Sequence, residues 1–304
     1  MRFFRLCLIL YAVIVCSCES RQLPAKDWNQ VIASYNNDEY SVSYLRLAEL
    51  NLALAQTGRL AEDVFKYTQA GSEGLLPEWN RTEEVGRISS DIFFSMGNIA
   101  FSQRMAFEAN VVADEEYVPE MLVRLVQTNL IYGAWKVAEK YIDILERDGY
   151  DCSLYRNMLG NDAAVEADPV LGPKRRCVLE EDRIALSEGI EEDLKYILRQ
   201  NPSHTVTAEY LGVMYLLDCN MDAFKAFLDE FYGTQALPSL PRSFAEAACM
   251  LSELERNYWK KCGVSKQTYE RYRDFKSRLE TGLSEDKYKD TFWYYIMRVN
   301  NSRI

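Results

Sequence analysis

The chain has 304 residues, with 46 Asp+Glu against 35 Lys+Arg, a formal net charge of −11, one His and eight Cys. Length alone suggests about two domains, and 48% hydrophobic with 27% charged residues is the balance of a chain that builds a core rather than staying disordered. The acidic excess argues against a nucleic-acid partner, the basic run Lys174-Arg175-Arg176 being short, and a single imidazole excludes a two-His zinc motif.

Arg2 and Arg5 form a basic n-region, and Leu6 to Val15 is an apolar run of ten residues. Such a run is too short to span a bilayer as a mature helix, but it suits a secretory signal. Val15-Cys16-Ser17-Cys18 follows. This tetrapeptide resembles the lipobox of bacterial lipoproteins. The resemblance implies a signal peptide over 1–17, cleavage after Ser17, an acylated Cys18 as the new N-terminus and a tether over 18–26. Three acyl chains would exceed the two signals that stable anchoring needs. The alternative is an ordinary signal peptide with chance cysteines. The expected location is the bacterial cell envelope, lipid-anchored to a membrane. Only Glu19 is acidic just after the Cys, so a periplasm-facing and a surface-exposed position both stay open.

From there the chain reads as helix after helix. Tyr44, Leu45, Ala48, Leu52 and Ala55 form one stripe, and Gly58 breaks it. A second helix starts at Leu60 and ends before Gly71, Gly74 and Pro77. A pair follows over Val85 to Met96 and Ile99 to Val111, broken at Gly97-Asn98. Another runs from about Glu116 to Ile131 and from Ala134 to Arg147, broken at Tyr132-Gly133 and closed by Gly149. These make an N-terminal helical-repeat region over 27–150. Residues 151–189 are less regular, with Gly160-Asn161-Asp162, Asp168-Pro169 and Gly172-Pro173 interrupting the period, and read as an irregular helical connection. A C-terminal helical-repeat region with capping helices occupies 190–304. There Asn201-Pro202 reads as a cap with Pro at the first helical position, Ser243-Phe244-Ala245-Glu246 as a capping box, and Ser284-Glu285-Asp286 as a third start. Tyr269, Tyr272, Phe275 and Leu279 line one further helix. Trp293, Tyr294, Ile296 and Met297 belong to the last. No stretch alternates strictly enough to require a strand.

Short breaks between successive helices imply antiparallel hairpins, and spacings near 34–40 residues are a helical-solenoid signature. Leu211-Gly212-Val213-Met214-Tyr215, followed by Ala223 and Phe227, resembles a tetratricopeptide repeat, one residue shorter than the family spacing. Ala138, Ile142 and Leu145 after Gly133 match less fully. The implied fold class is all-α, a tetratricopeptide-like α-solenoid of antiparallel helix pairs, with an irregular α-helical domain as the alternative. A longer likeness covers Ser43 to Tyr67 and the following Gly71-Ser72-Glu73-Gly74-Leu75-Leu76-Pro77-Glu78-Trp79. This stretch is similar to the soluble region of an uncharacterised domain-of-unknown-function family in Bacteroidota. Members often carry many membrane spans ahead of it, and a lipobox is expected here in their place. The likeness implies an envelope protein and supplies no catalytic residue.

Motifs for catalysis are sparse. There is no phosphate-cradling Gly-x-x-x-x-Gly-Lys-Ser/Thr, no Gly-x-Gly-x-x-Gly and no Gly-x-Ser-x-Gly. His204 is the only imidazole, and an exposed or capping role is expected. Glu83-Glu84, Glu115-Glu116 and Glu191-Glu192-Asp193 fall at helix starts, where carboxylates stabilise. Cys219 and Cys249 read as buried small hydrophobes, and Cys152–Cys177 is a conceivable disulfide. Gly71-Ser72-Glu73-Gly74 reads as turn composition. Of the many aromatics, Trp79 in a loop is the one expected to be exposed, a possible ligand contact, whereas Trp28 should pack the first helix. The expected function is a membrane-anchored helical-repeat scaffold binding another envelope protein or a peptide, with no cofactor, no metal and no enzymatic activity. The alternative is an accessory glycan- or nutrient-binding lipoprotein using exposed aromatics; an enzyme with an unrecognised acidic site is the third reading.

Overall fold

Local chemistry sets most helix ends, and tertiary contacts set the rest. The computed structural model describes residues 21–23, 25–36, 43–114, 117–179, 189–281 and 287–302. Helix is the regular element throughout these residues, accompanied only by the isolated bridges Arg21–Tyr150 and Tyr232–Leu237. Cys18 with its lipobox, Glu115-Glu116 and Ser284-Glu285-Asp286 lie outside the described residues.

Helix α1 (Trp28–Ser34) is opened by Asp27, whose carboxylate accepts the N–H groups of Asn29 and Gln30. Helix α2 (Tyr44–Gln56) is followed by α3 (Leu60–Asp63), which runs on into a 3-10 turn at Val64–Lys66. Thr82 caps α4 (Glu83–Met96) through the N–H of Val85, and Asn98 caps α5 (Ile99–Val112) through that of Phe101. Pro119 opens α6 (Pro119–Ile131), where its missing N–H costs nothing, and α7 (Trp135–Arg147) follows. Gly97 and Gly133 take the left-handed conformation that turns α4 into α5 and α6 into α7. Three short helices come next, α8 (Ser153–Arg156), α9 (Asp162–Ala167) and α10 (Leu171–Arg175). The C-terminal part holds α11 (Ile190–Gln200), α12 (Thr205–Leu217), α13 (Met221–Phe231), α14 (Arg242–Leu251), α15 (Tyr258–Lys261), α16 (Lys266–Thr281) and α17 (Phe292–Ser302).

Helices α4 to α7 pack each against the next, and α10 covers α6. Helix α12 is central: it contacts its neighbours α11 and α13 and also α2, α3 and α4. Helix α14 rests on α3, α13, α16 and α17. The C-terminal helices therefore fold back on the N-terminal ones. Two buried clusters result. One joins residues from 32–105 to Cys177 and to residues from 194–296; the other holds residues from 94–171. Helix α2 is buried on nearly every side, with Leu47, Leu50, Leu52 and Leu54 fully enclosed. Each such Leu contributes about 1.5–3 kcal/mol.

Three readings of local chemistry are corrected. The single stripe on α2 omits Leu47, Leu50 and Leu54 and includes Tyr44, which is exposed, because α2 is surrounded rather than one-sided. Asn201 is the C-cap of α11, and α12 starts only at Thr205, with His204 at its N-cap position. The Ser243–Glu246 capping box does not form. Helix α14 begins at Arg242, Ser243 Oγ donates to the Ala61 carbonyl at 2.5 Å, and Glu246 Oε2 accepts the N–H of Phe292 at 2.8 Å. Partners from distant elements took both side chains away from their own helix end.

Candidate functional site: a tyrosine-lined cleft

A cleft of about 1210 Å³ opens between residues 65–73 and α17, reaching Leu217 and Asp218 at the end of α12. Its loop wall leaves the 3-10 turn after α3 and changes direction at Gly71, which has φ +80°. The loop lies directly on α2, since a Cβ on Gly74 would sit 2.4 Å from a methyl carbon of Leu47. Asn51 of α2, fully enclosed, fastens it by donating from Nδ2 to Gln69 Oε1 at 3.1 Å and to the Gly74 carbonyl at 2.9 Å. Gln69 Nε2 in turn donates to the Val64 carbonyl at 2.9 Å.

The opposite wall is fixed as firmly. Glu246 receives the first N–H of α17, and the Trp293 indole N–H donates to the Glu246 carbonyl at 2.7 Å. Burial raises the Glu246 carboxyl to about 7, against the pull of Arg242 at 3.0 Å and Arg271 at 3.9 Å. The Tyr295 hydroxyl donates to the Leu217 carbonyl at 2.7 Å. Phe65 packs against Phe292 and Tyr295 with ring centroids 5.2 and 5.1 Å apart, joining the two walls.

Between these walls stand Tyr44, Tyr67 and Tyr294, with Tyr44 47% exposed. The Arg298 guanidinium lies 5.9 Å from the Tyr294 ring centroid. Lys66 and Lys289 add positive charge, and Glu73, Asp218 and Asp290 add negative. Lys66 is paired with Asp63 at 2.6 Å, and Asp290 with Arg242 and Arg271 at 2.6 and 3.0 Å. Burial opposes ionisation of Asp290, but Arg242 and Arg271 prevail and hold its carboxyl below the usual range. The described lining contains no His and no Cys. The surface offers flat aromatic faces, hydrogen-bonding edges and both signs of charge, which is equipment for holding a ligand.

The residues singled out from sequence lie elsewhere. Trp79 is half-buried against the first cluster and does not line the cleft, so the expectation of an exposed loop aromatic is corrected: the loop lies down on the core. Trp28 packs on that cluster as expected, with Lys26 Nζ 5.4 Å from its ring. His204 does stand at the N-cap position of α12, but it is buried rather than exposed, and its imidazole meets Lys174 and Thr207 instead of capping the helix. Cys152 and Cys177 are separate thiols in different clusters, so they do not form the conceivable disulfide. Cys249 is enclosed, whereas Cys219 is only half-buried and holds a left-handed backbone at the α12–α13 turn. Glu83-Glu84 and Glu191-Glu192-Asp193 do occupy first helical turns. Among the described residues no three His, Cys, Asp or Glu side chains converge as a metal site. No single-residue signal pointed to Tyr67 and Tyr294; the Gly71–Gly74 turn and the aromatic last helix were legible separately, but not as neighbours.

Over residues 13–298 the chain matches the family described as "Family of unknown function (DUF6057)". No curated protein and no solved structure matches it.

Proposed function

The chain belongs to the DUF6057 family, and we propose that it is a membrane-anchored helical scaffold that holds a peptide segment of another envelope protein in the cleft between residues 65–73 and α17. One observation carries the reading: tyrosines stand on both sides of a cleft whose walls are each fastened by buried hydrogen bonds. Tyrosine offers large amphipathic contact at small entropic cost. A volume of about 1210 Å³ exceeds the 300–1,000 Å³ typical of small-molecule pockets and suits an extended ligand. The net charge of −11 favours a cationic segment. In this reading the consecutive hairpins from α4 to α7 are a tetratricopeptide-like stack, and acylated Cys18 is the anchor. In this reading the activity is binding without turnover.

The test places a photo-cross-linking residue at Thr68, a lining position that is not one of the tyrosines, in intact source cells and identifies adducts by mass spectrometry. Reproducible capture of one envelope protein, lost in Tyr294→Ala, is expected. Capture of nothing above background would overturn the reading. Exposed Tyr44 favours a second reading, stacking of a glycan on the same tyrosines; glycan binding by the purified chain, lost in Tyr294→Ala, would establish it instead. Replacing Cys18 by Ala should move the protein from the membrane to the soluble fraction, and retention would refute the anchor.

A further inference from the structure

The two buried clusters meet at a polar seam where α4 ends, α10 passes and α12 begins. Lys174 of α10 lies across it, with Nζ 2.8 Å from the Ser95 carbonyl and 2.7 Å from His204 Nε2. His204 Nδ1 is 2.6 Å from Thr207 Oγ1, and Thr207 Oγ1 donates to the Met96 carbonyl at 2.7 Å. Asn201 Nδ2 reaches the Pro173 carbonyl and Cys177 Sγ at 3.4 and 3.3 Å.

The protons on this chain of contacts can be assigned. The Thr207 hydroxyl spends its hydrogen on Met96, so towards His204 it accepts. His204 therefore carries its hydrogen on Nδ1, and its Nε2 is a lone pair. Lys174 must donate to that lone pair and to the Ser95 carbonyl. Two N–H groups are what a neutral amine has. An ammonium would bring a third N–H and a full charge. The Phe94 ring, 5.5 Å away, already carries Arg124 at 3.6 Å.

The charged groups around the seam do not compensate that charge. From α6, Arg124 is positive and is held by Asp91 of α4 at 3.0 Å. Asp193 of α11 accepts from Asn98 Nδ2 at 3.2 Å. Arg175 and Arg176 turn outward to Asp162 and Glu166. The Cys177 thiol is pushed up by burial. Among the described residues no carboxylate pairs with Lys174.

We propose that Lys174 is a proton-sensitive latch: as a neutral amine it ties the two cores together through Ser95 and His204, and its protonation opens the seam. Burial lowers this amine from 10.5 to about 7; the Cys177 thiol opposes the shift and Arg124 adds to it. The sign follows from linkage. In an opened seam the amine returns to its ordinary value, so opening takes up a proton between the two values. The open population then grows as pH falls from 10.5 towards 7, and this gain stops below 7.

The purified full chain is labelled with iodoacetamide between pH 7 and 9, and Cys177 and Cys249 are followed by peptide mass spectrometry. Each rate is divided by that of the same cysteine in urea at the same pH, which removes thiolate chemistry. The corrected Cys177 rate should rise about twentyfold from pH 9 to 7.5, while Cys249, enclosed in α14, stays level. In Lys174→Met the Cys177 rate should be level with pH. A level rate in the wild-type protein, or an equal rise at Cys249, would overturn the latch. The wild-type comparison of the two cysteines decides the matter even if the Met variant does not fold.

Discussion

Gly212 of α12 and Phe244 of α14 are in contact through the missing side chain: a Cβ on Gly212 would lie 2.2 Å from Phe244 Cζ. Phe244 is fully enclosed and packs on Phe224 at 5.3 Å and Phe227 at 5.9 Å, so its ring cannot retreat. Gly212→Ala should therefore destabilise the protein by about 1–3 kcal/mol through overpacking. Urea unfolding of the single variant and of Gly212→Ala with Phe244→Leu checks this; the smaller side chain should restore at least half of the loss.

Asn51 couples core to cleft. Asn51→Ala leaves the Gly74 carbonyl without its buried donor and should cost about 1–3 kcal/mol. Hydrogen exchange should quicken at residues 69–75 before it does on α12. Uniform loss of protection would contradict this local role.

Tyr44 offers the complementary case. Its side chain is 47% exposed, so Tyr44→Ala should change stability by no more than about 0.5 kcal/mol. Ligand capture by the cleft should nevertheless fall about tenfold, the worth of a single aromatic anchor. Unchanged capture would remove Tyr44 from the site.

The thiols predict insensitivity to reductant. Cys152 and Cys177 are enclosed in separate clusters, and burial, then Glu146 and Asp151, pushes the Cys152 thiol up to about 11. Neither forms an appreciable thiolate near neutrality. The melting temperature should be the same with and without reductant, and both thiols should be alkylated in full after unfolding. A drop of several degrees on reduction would reveal a structural disulfide.

His204 gives an acid limb to the stability curve. Burial, with Lys174 beside it, lowers the imidazole from 6.5 to about 3. The unfolded chain binds the proton first, so stability is fully present above 6.5 and is lost as pH falls towards 3, by up to about 1.4 kcal/mol per unit. His204→Gln should flatten that limb relative to wild type in urea titrations between pH 6 and 4.

Much of this was legible along the chain because it depends on short-range chemistry. The helical period, the breaks at Gly58, Gly97 and Gly133, and the carboxylates in the first turns of α4 and α11 are fixed by residues within four positions of one another. The same locality explains the errors. Ser243 and Glu246 have the spacing of a capping box, yet Ala61 and Phe292 lie closer to their side chains in space. Gly212 was legible as part of a tetratricopeptide-like motif, but only packing chose Phe244 of α14 as its neighbour.

What the sequence determined by itself is an all-helical chain with its turns in place, because helix propensity and glycine's left-handed conformation act locally. Tertiary structure alone decided that α17 returns to the loop after α3, that Tyr67 and Tyr294 share a cleft, and that Lys174 of the short basic run turns inward to His204. Each of these joins residues far apart in the chain, and the free energy that joins them is burial of apolar surface, which records how much is covered but carries no address for what covers it.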